Sequence, residues 1–284
     1  MTTSQANAPM ADPFRVGQWT IIPLRDGQWR QEPVDMWLRQ EAHGMRLLGL
    51  GRTQDDWDRY PELLHPDGTL ELTIGGYLLV GHDRVILVDA GQGPEPIGPL
   101  IGGELPGSLA RIGYTPADVT DVVFTHLHPD HTGWASADGK PYFPAATYRC
   151  HSAEIAHALE HNRLGRVEPV LERIETFAGD GSLSPGVDVR PSPGHTPGSS
   201  TFVVSGGGYV VMLIGDAAHC VHELLEPEWS GMADANPALA HRTRQALADE
   251  LEVSGAYVGG GHFPGLAFGR LLSRDRRTWT FARD

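Results

Sequence analysis

The chain has 284 residues, 40% of them hydrophobic, which is enough to bury a substantial core. Its 36 acidic and 22 basic residues give a net charge of −14, and no basic run with interleaved aromatics occurs, so nucleic acid and anionic membrane are poor partners. The sequence shows no export signal, no 18-residue apolar stretch and only two cysteines, which predicts a cytoplasmic protein. A homodimer is left open.

The first half of the chain reads as a succession of strands. Residues 19–30 predict two short strands joined by a turn at Asp26-Gly27. Residues 69–91 predict two or three more, with a turn at residues 81–83. This part of the chain should therefore build a sheet.

A helical start precedes the next strand. Thr115 is placed to cap it, Pro116 fits the first helical position, and Asp118 completes a capping-box pattern. The apolar run Val122–Phe124 then returns to strand. The sequence thus predicts a βαβ-like step at this point.

The second half repeats the alternation of strands and polar loops. Helices are predicted around residues 152–161 and 167–177, and strands and polar loops alternate over 187–219. A long helix should begin with Asn236 as its cap, and a last short strand and loop should follow over 256–265. The predicted apolar face of that helix carries Leu239, Thr243, Ala246, Leu247 and Leu251.

Chemistry-bearing side chains follow four short apolar strands. His126, His195, Asp216 and His262 each come just after such a run. Strand ends of one layered sheet meet at a common rim, so these side chains should lie close together. Imidazole nitrogen and carboxylate oxygen are ligands that suit zinc and neighbouring metals. A metal site is the prediction.

The stretch THLHPDHTG (125–133) indicates more than one ion. His126 and His128, two residues apart on extended backbone, point to the same side, whereas Asp130 and His131 lie beyond a proline that turns the chain. Two pairs predict two ions with a carboxylate between them. Asp216, which ends a buried strand, is the natural bridge.

Four motifs now stand in order along the chain: HxHxDH at 126–131, GHTPG at 194–198, GDAAH at 215–219 and GGHFPG at 260–265. In this order they resemble the metallo-β-lactamase-fold hydrolase superfamily, over roughly residues 70–265. The resemblance implies an α/β fold, a four-layer αββα sandwich of two similar halves with a dinuclear site at the shared sheet edge. We expect a flexible segment over residues 1–14 and a single domain over 15–284.

The resemblance also implies a ligand set. Two divalent ions are expected, with zinc preferred and manganese, iron and cobalt left open. Asp89 matches a position that orients a metal-binding histidine. The match assigns His126, His128 and His195 to one ion, Asp130, His131 and His262 to the other, and Asp216 to both.

Within the superfamily, the spacings from His131 to His195 and on to Asp216 resemble those of acyl-homoserine lactonases and of organophosphate hydrolases related to methyl parathion hydrolase. The C-terminal motifs look closer to the second group. Lactonases of this kind usually carry a tyrosine three residues after the bridging aspartate, and here that place holds His219. His219 is a candidate to donate to a substrate oxygen or to a metal ligand, and the alternative is that it only packs beneath the loop.

The expected reaction is attack on a small ester, lactone or phosphotriester by a metal-bound hydroxide, with Asp130 or His219 available for proton transfer. An iron-containing redox enzyme of the same fold and a non-catalytic metal-dependent binding protein are the alternatives. Aromatic residues at 29–37 and 57–60 are candidates for the wall of an apolar pocket. His157 and His161, four apart on a predicted helix, read as a solvated helix face.

Overall fold

A computed structural model describes residues 10–31, 54–58, 64, 67–226, 233–273 and 277–282 of the chain. In this described part, strands form two large sheets and one short ribbon. The first sheet runs in the order β1-β2-β3-β4-β6-β9-β10, with β5 paired to β2, and the second runs from β11 to β17 in chain order. The strands are β1 (Phe14–Val16), β2 (Trp19–Gln31), β3 (Leu70–Gly81), β4 (Arg84–Val88), β5 (Leu100–Ile101), β6 (Asp121–Val123), β7 (Ser136–Ala137), β8 (Lys140–Pro141), β9 (Thr147–His151), β10 (Ile174–Phe177), β11 (Gly181–Ser184), β12 (Val187–Pro191), β13 (Ser200–Gly206), β14 (Tyr209–Leu213), β15 (Tyr257–Gly259), β16 (Gly269–Leu272) and β17 (Thr278–Phe281).

Helices lie outside the two sheets. The α-helices are α1 (Gln54–Trp57), α2 (Leu105–Arg111), α3 (Pro129–Thr132), α4 (Ser152–Glu160), α5 (His222–Leu225) and α6 (Pro237–Ser254). Short 3-10 helices occupy Pro116–Asp118, Gly165–Arg173, Gly215–Ala217 and Pro264–Leu266. Among the described helices, none combines the length and the apolar composition needed to cross a bilayer.

Three apolar cores separate four layers. Successive strand residues point to opposite faces, so Val122 packs under the helices of the first half while Val123 faces the second sheet. Met212 and Leu213 divide in the same way, Met212 packing with residues of α6 such as Leu251. The central strands are therefore buried on both faces, which explains their unbroken apolar runs. The predicted four-layer αββα sandwich is confirmed.

The predicted turn at Asp26-Gly27 is wrong. Residues 19–31 form the single strand β2, and its register against β3 shifts between Arg25 and Gly27. Asp26 is the unpaired residue of this bulge, and its carboxylate accepts hydrogen bonds from Trp134 Nε1 and from the backbone N–H groups of Gln92, Gly93, Gly103 and Leu105. The Asp26-Gly27 pair, which predicted a turn, instead marks a bulge in β2 that carries a buried carboxylate.

The other predicted elements hold with local changes. The turn after β3 is present, with positive φ at His82 and Asp83. β4 and β6 pair in parallel, which confirms the βαβ-like step. The segment expected to be helical over 167–177 is a 3-10 helix followed by β10, because Pro169 lies inside the helix and β10 pairs with β9.

The long helix α6 and the first described residues both pack against the rest of the protein. Asn236 caps α6 as predicted, accepting from the Leu239 N–H at 3.1 Å. The buried face of α6 includes Leu247 and Leu251, but Ala246 is exposed and Arg244 is buried in its place. At the other end, the Ala11 N–H donates to Gly265 O at 2.9 Å. The division of the chain at residue 14 stays a prediction.

Candidate metal centre

The first group of candidate ligands comes from one loop. His126 follows β6, and His128 occupies the extended N-cap position of α3. Because α3 begins directly after His128, Asp130 and His131 lie in its first turn. Among these four, only His128 is half-buried, and the others are buried.

The second group comes from three loops of the other half. His195 lies between β12 and β13, Asp216 lies in the 3-10 helix after β14, and His262 follows β15. Gly215 lets the chain turn before Asp216: its φ is +51°, and a Cβ there would lie 2.6 Å from Thr125 Cβ. A glycine is therefore required for this approach of the two halves.

The Asp216 carboxylate stands between two sets of imidazoles. Its Oδ1 is 3.2 Å from His131 Nε2 and 3.3 Å from His262 Nε2. Its Oδ2 is 3.4 Å from His195 Nε2 and 3.7 Å from His126 Nε2. Each carboxylate oxygen thus faces one histidine from each half of the protein.

The structure brings all seven predicted ligands to one centre and divides them into two groups. Within each group, the candidate ligand atoms lie within 4.8 Å of one another. The six residues other than Asp216 are grouped as the resemblance implied, whereas Asp216, which the resemblance assigned to both ions, falls in one group by this criterion. One group contains His126, His128, His195 and Asp216, and the other contains Asp130, His131 and His262.

Hydrogen bonds fix four of the imidazoles with Nε2 towards the centre. The Nδ1 atoms of these rings contact oxygen acceptors outside the centre at 2.9 to 3.1 Å. Since Nδ1 carries the proton, each Nε2 presents a lone pair inwards, as metal-binding histidines do. The pairs are His126 with Thr125 Oγ1, His131 with Asp89 Oδ2, His195 with Asp234 Oδ1, and His262 with Thr73 O.

These inward atoms fit metal ions. His131 Nε2, His262 Nε2 and Asp216 Oδ1 are buried and have no hydrogen-bond partner within the described structure. A buried polar atom left without a partner costs about 1–3 kcal/mol. His128 Nδ1 lies 3.0 Å from His126 Nε2 and 2.9 Å from His195 Nε2. Lone pairs that converge so closely are stabilised by a cation, and the donor set suits two divalent ions.

The two groups differ in electrostatics. Burial, reinforced by His195, lowers the pKa of His128 to about 3. Burial also disfavours the charged form of His131 and His262, but the nearby carboxylates, Asp216 first, outweigh it and raise the pKa of His262 to about 9. Burial would raise the pKa of the Asp130 carboxyl, yet His131 and His262 hold it below its usual range. The pKa is thus lowered at His126 and His128 of the first group and raised at His131 and His262 of the second, where carboxylates lie beside the rings.

Asp89 lies where the sequence placed it, behind a candidate ligand. Its Oδ2 is 2.9 Å from His131 Nδ1, and its Oδ1 accepts from the Thr125 N–H at 2.8 Å. Asp89 has a positive φ of 60°, a conformation in which Asp is enriched among non-glycine residues. It therefore joins the ends of β4 and β6 beneath the centre.

Sequence reasoning missed the carboxylates that support the other loops. Asp234 Oδ1 is 3.0 Å from His195 Nδ1. Glu154, on α4, accepts from the Leu127 and Gly198 N–H groups and from the Thr196 hydroxyl. Both are buried, and only their position in the folded protein reveals their role.

Arg244 connects the loops of the second half. Its Nε donates to Ala217 O at 3.0 Å, and its Nη2 lies 3.3 Å from Asp234 Oδ2. Glu223 Oε2 lies 3.7 Å from Nε and accepts from the His219 N–H at 2.9 Å. One buried guanidinium on α6 thus contacts the segments that follow Asp216 and precede α6.

His219 faces the centre. Its Nε2 is 3.4 Å from Asp216 Oδ2, and its ring stacks on that of His262 with 5.8 Å between centroids and 8° between planes. Burial disfavours its charged form, but Asp216 and Glu223 outweigh burial and raise the pKa of His219. His219 therefore does more than pack beneath the loop, because it contacts the candidate metal ligand Asp216.

Aromatic residues border the centre on one side. Trp29 is buried, and its ring meets that of His262 edge-on at 6.1 Å. It packs in an apolar cluster with Trp57, Leu72 and Cys220. The remaining aromatic positions of the predicted pocket wall, within 32–37 and 59–60, lie outside the described residues.

Two groups of candidate metal ligands thus lie at the shared edge of two packed sheets. This arrangement places the protein in the class of metal-dependent hydrolases with a dinuclear site. The chain belongs to the metallo-beta-lactamase superfamily, whose family model matches residues 76–262. The match begins within β3 and ends at His262, so it covers both groups of candidate ligands.

Individual proteins resemble the chain over most of its length. An N-acyl homoserine lactonase of Bacillus thuringiensis is 28% identical over 236 residues, which cover 76% of this chain and 91% of that protein. The structure of AidC, a dizinc quorum-quenching lactonase with the product N-hexanoyl-L-homoserine, superimposes with a TM-score of 0.83 at 19% identity, covering 98% of this chain and 99% of that one. The hydrolase AbOPH gives 0.79 at 24% identity, with 98% of both chains covered. The two structural matches show the fold.

Proposed function

We propose that the chain is a lactonase that opens the ring ester of an N-acyl lactone, with two zinc ions at the centre. The observation that carries this proposal is the division of seven donors into two groups that share Asp216. The names of the relatives support the substrate class, since the Bacillus thuringiensis protein matches over nine-tenths of its length.

We assign the ligands as the donors are grouped in space. When bound, two zinc ions would lower the pKa of water to supply the nucleophile and would polarise the carbonyl under attack. The assignment gives His126, His128 and His195 to one ion, Asp130, His131 and His262 to the other, and Asp216 to both.

Asp130 and His219 are the residues proposed to handle protons. Asp130 Oδ2 is 3.3 Å from His262 Nε2, and the carboxylate stays deprotonated there because its pKa is held low. The low pKa makes Asp130 a weak base without bound ions, so its proposed role in proton transfer rests on its position at the centre. His219 lies on the other side of Asp216 with Nε2 towards the centre, where it can donate to the oxygen that gains charge in the ring-opening step.

The test is turnover of a substrate panel by zinc-loaded protein. The panel contains N-acyl homoserine lactones with short and long acyl chains, a p-nitrophenyl ester and a p-nitrophenyl phosphotriester. We expect the highest kcat/KM on an acylated lactone, with loss of all activity after chelation and its return with zinc. Higher kcat/KM on the phosphotriester, or turnover that survives chelation, would contradict the proposal. His241→Ala, an exposed histidine on α6, is the matched control.

A further inference from the structure

Three metal-binding side chains lie together outside the centre, at the C-terminal end of α4. His157, Glu160 and His161 occupy positions i, i+3 and i+4, which share one face of a helix. Their candidate ligand atoms lie within 4.8 Å of one another, and the two imidazole rings are 4.3 Å apart between centroids. Nothing in the dinuclear centre uses these residues.

The His161 ring is held in a ligand-like orientation. Its Nδ1 lies 2.9 Å from the backbone oxygen of His157, and a carbonyl oxygen only accepts. Nδ1 therefore carries the proton, and Nε2 keeps its lone pair. Metal-binding histidines show the same arrangement, in which a hydrogen bond to one nitrogen fixes the tautomer of the other.

We propose that His157, Glu160 and His161 bind a third divalent ion of the zinc, nickel or copper type. Two imidazoles and one carboxylate are borderline ligands suited to these metals, and water completes the coordination sphere. Glu160 and His161 are exposed, so the site is open to solvent and to exchange. The solvated helix face indicated by the sequence is thus also a chelating face.

The third site adjoins the dinuclear centre without sharing ligands with it. His157 and His128 line one small pocket, together with Glu154 and Arg163. The positive charge of Arg163 opposes a cation in this region, and the Glu160 carboxylate offsets it. We therefore expect weaker binding at this site than at the dinuclear centre, so that the two classes of ion separate in a titration.

The experiment uses protein already loaded at the dinuclear centre. Isothermal titration with Zn²⁺, repeated with Ni²⁺, should show one further equivalent per chain. His161→Ala and Glu160→Gln should each weaken that equivalent by about tenfold or more, because a ligand is lost. His241→Ala should leave it unchanged. Elemental analysis after dialysis should give the same tightly bound metal content for all four proteins.

Two results would overturn the inference. One is the absence of a further equivalent in the wild-type protein. The other is a further equivalent whose affinity is the same in wild type, Glu160→Gln and His161→Ala, since the ion would then bind elsewhere. Both readouts are independent of hydrolysis, so they stand whether or not the lactonase proposal holds.

Discussion

The two halves of the metal centre are built in different ways. The first half supplies its four candidate ligands from six consecutive residues, 126–131, on a loop that β6 and α3 hold in place. The second half supplies three from loops that are far apart in sequence. One buried guanidinium, Arg244, contacts Ala217 beside Asp216 and also Asp234, which in turn contacts the His195 ring. A local motif needs little support, whereas dispersed ligands depend on a buried ion network.

The supporting contacts show the same contrast. In the first half, Asp89 contacts the His131 ring and accepts hydrogen bonds from the Thr125 N–H and hydroxyl groups. In the second half, Asp234 and Glu223 are both buried within reach of Arg244. Removing one partner of a buried ion pair leaves an uncompensated charge, which costs about 3–5 kcal/mol. The second half should therefore be the more fragile.

The largest effect should come from the residue that both groups share. Asp216→Ala removes the carboxylate between the two sets of imidazoles, so hydrolysis should be abolished and bound metal should fall. Thermal stability should also decrease, because ligand-linked folding energy is lost. Elemental analysis and calorimetry check this, with exposed Asp188→Ala as the control. Full metal content and activity in Asp216→Ala would refute the bridging role.

Arg244→Met should have the next largest effect. The change leaves the buried Asp234 and Glu223 carboxylates without their guanidinium, so the free energy of unfolding should drop by about 3–5 kcal/mol. Metal affinity should drop as well, because Asp234 would then hold the His195 ring less firmly. Denaturant unfolding and metal titration measure both, against exposed Arg242→Met. If Arg242→Met and Arg244→Met behave alike, the network does not organise the second half.

His219→Ala should change the kinetics without changing the metal. If His219 donates to the oxygen that gains charge, kcat and kcat/KM should both fall by about tenfold to a thousandfold, the range for loss of one such donor. Bound metal should stay the same, because His219 is outside the assigned ligands. An unchanged kcat with intact metal would remove His219 from the mechanism.

Among these substitutions, a change at Asp121, at the start of β6, should have the smallest effect on metal binding. Burial would raise the pKa of this carboxyl, but hydrogen bonds from Arg84, Thr120 and Arg149 outweigh it and hold the pKa below its usual value. A carboxyl with a lowered pKa stabilises the fold above its unfolded-state pKa, and this contribution is lost as the pH falls through the folded-state value.

Asp121→Asn should therefore lower the melting temperature at pH 7 and flatten its decline between about pH 5 and pH 2. Metal affinity at pH 7 should stay close to wild type, because this ion cluster lies at the end of β6 away from His126. Calorimetry over pH checks the first expectation and metal titration the second. A loss of metal affinity as large as that of Arg244→Met would erase the contrast between the two halves.

The candidate ligands and the residues that support them differed in how far the sequence could predict them. The histidine loop and the motifs around His195, Asp216 and His262 resembled a known family closely enough to imply the fold and the seven donors. Asp234, Glu154 and Arg244 have no such pattern, because their role depends on contacts between residues 10 to 44 positions apart. The bulge at Asp26 was missed for the same reason, since its partners lie 66 to 108 residues further along the chain.

The central claim is that the seven donors form two ion-binding groups with one shared carboxylate. The most direct test is the metal-to-protein ratio of purified wild-type protein, measured by elemental analysis after supplementation with zinc and dialysis. Seven ligands exceed the four of a single tetrahedral site, so the ratio should be about two, in addition to any weakly held ion on α4 that dialysis removes. A ratio of one or less, even after supplementation, would contradict the account.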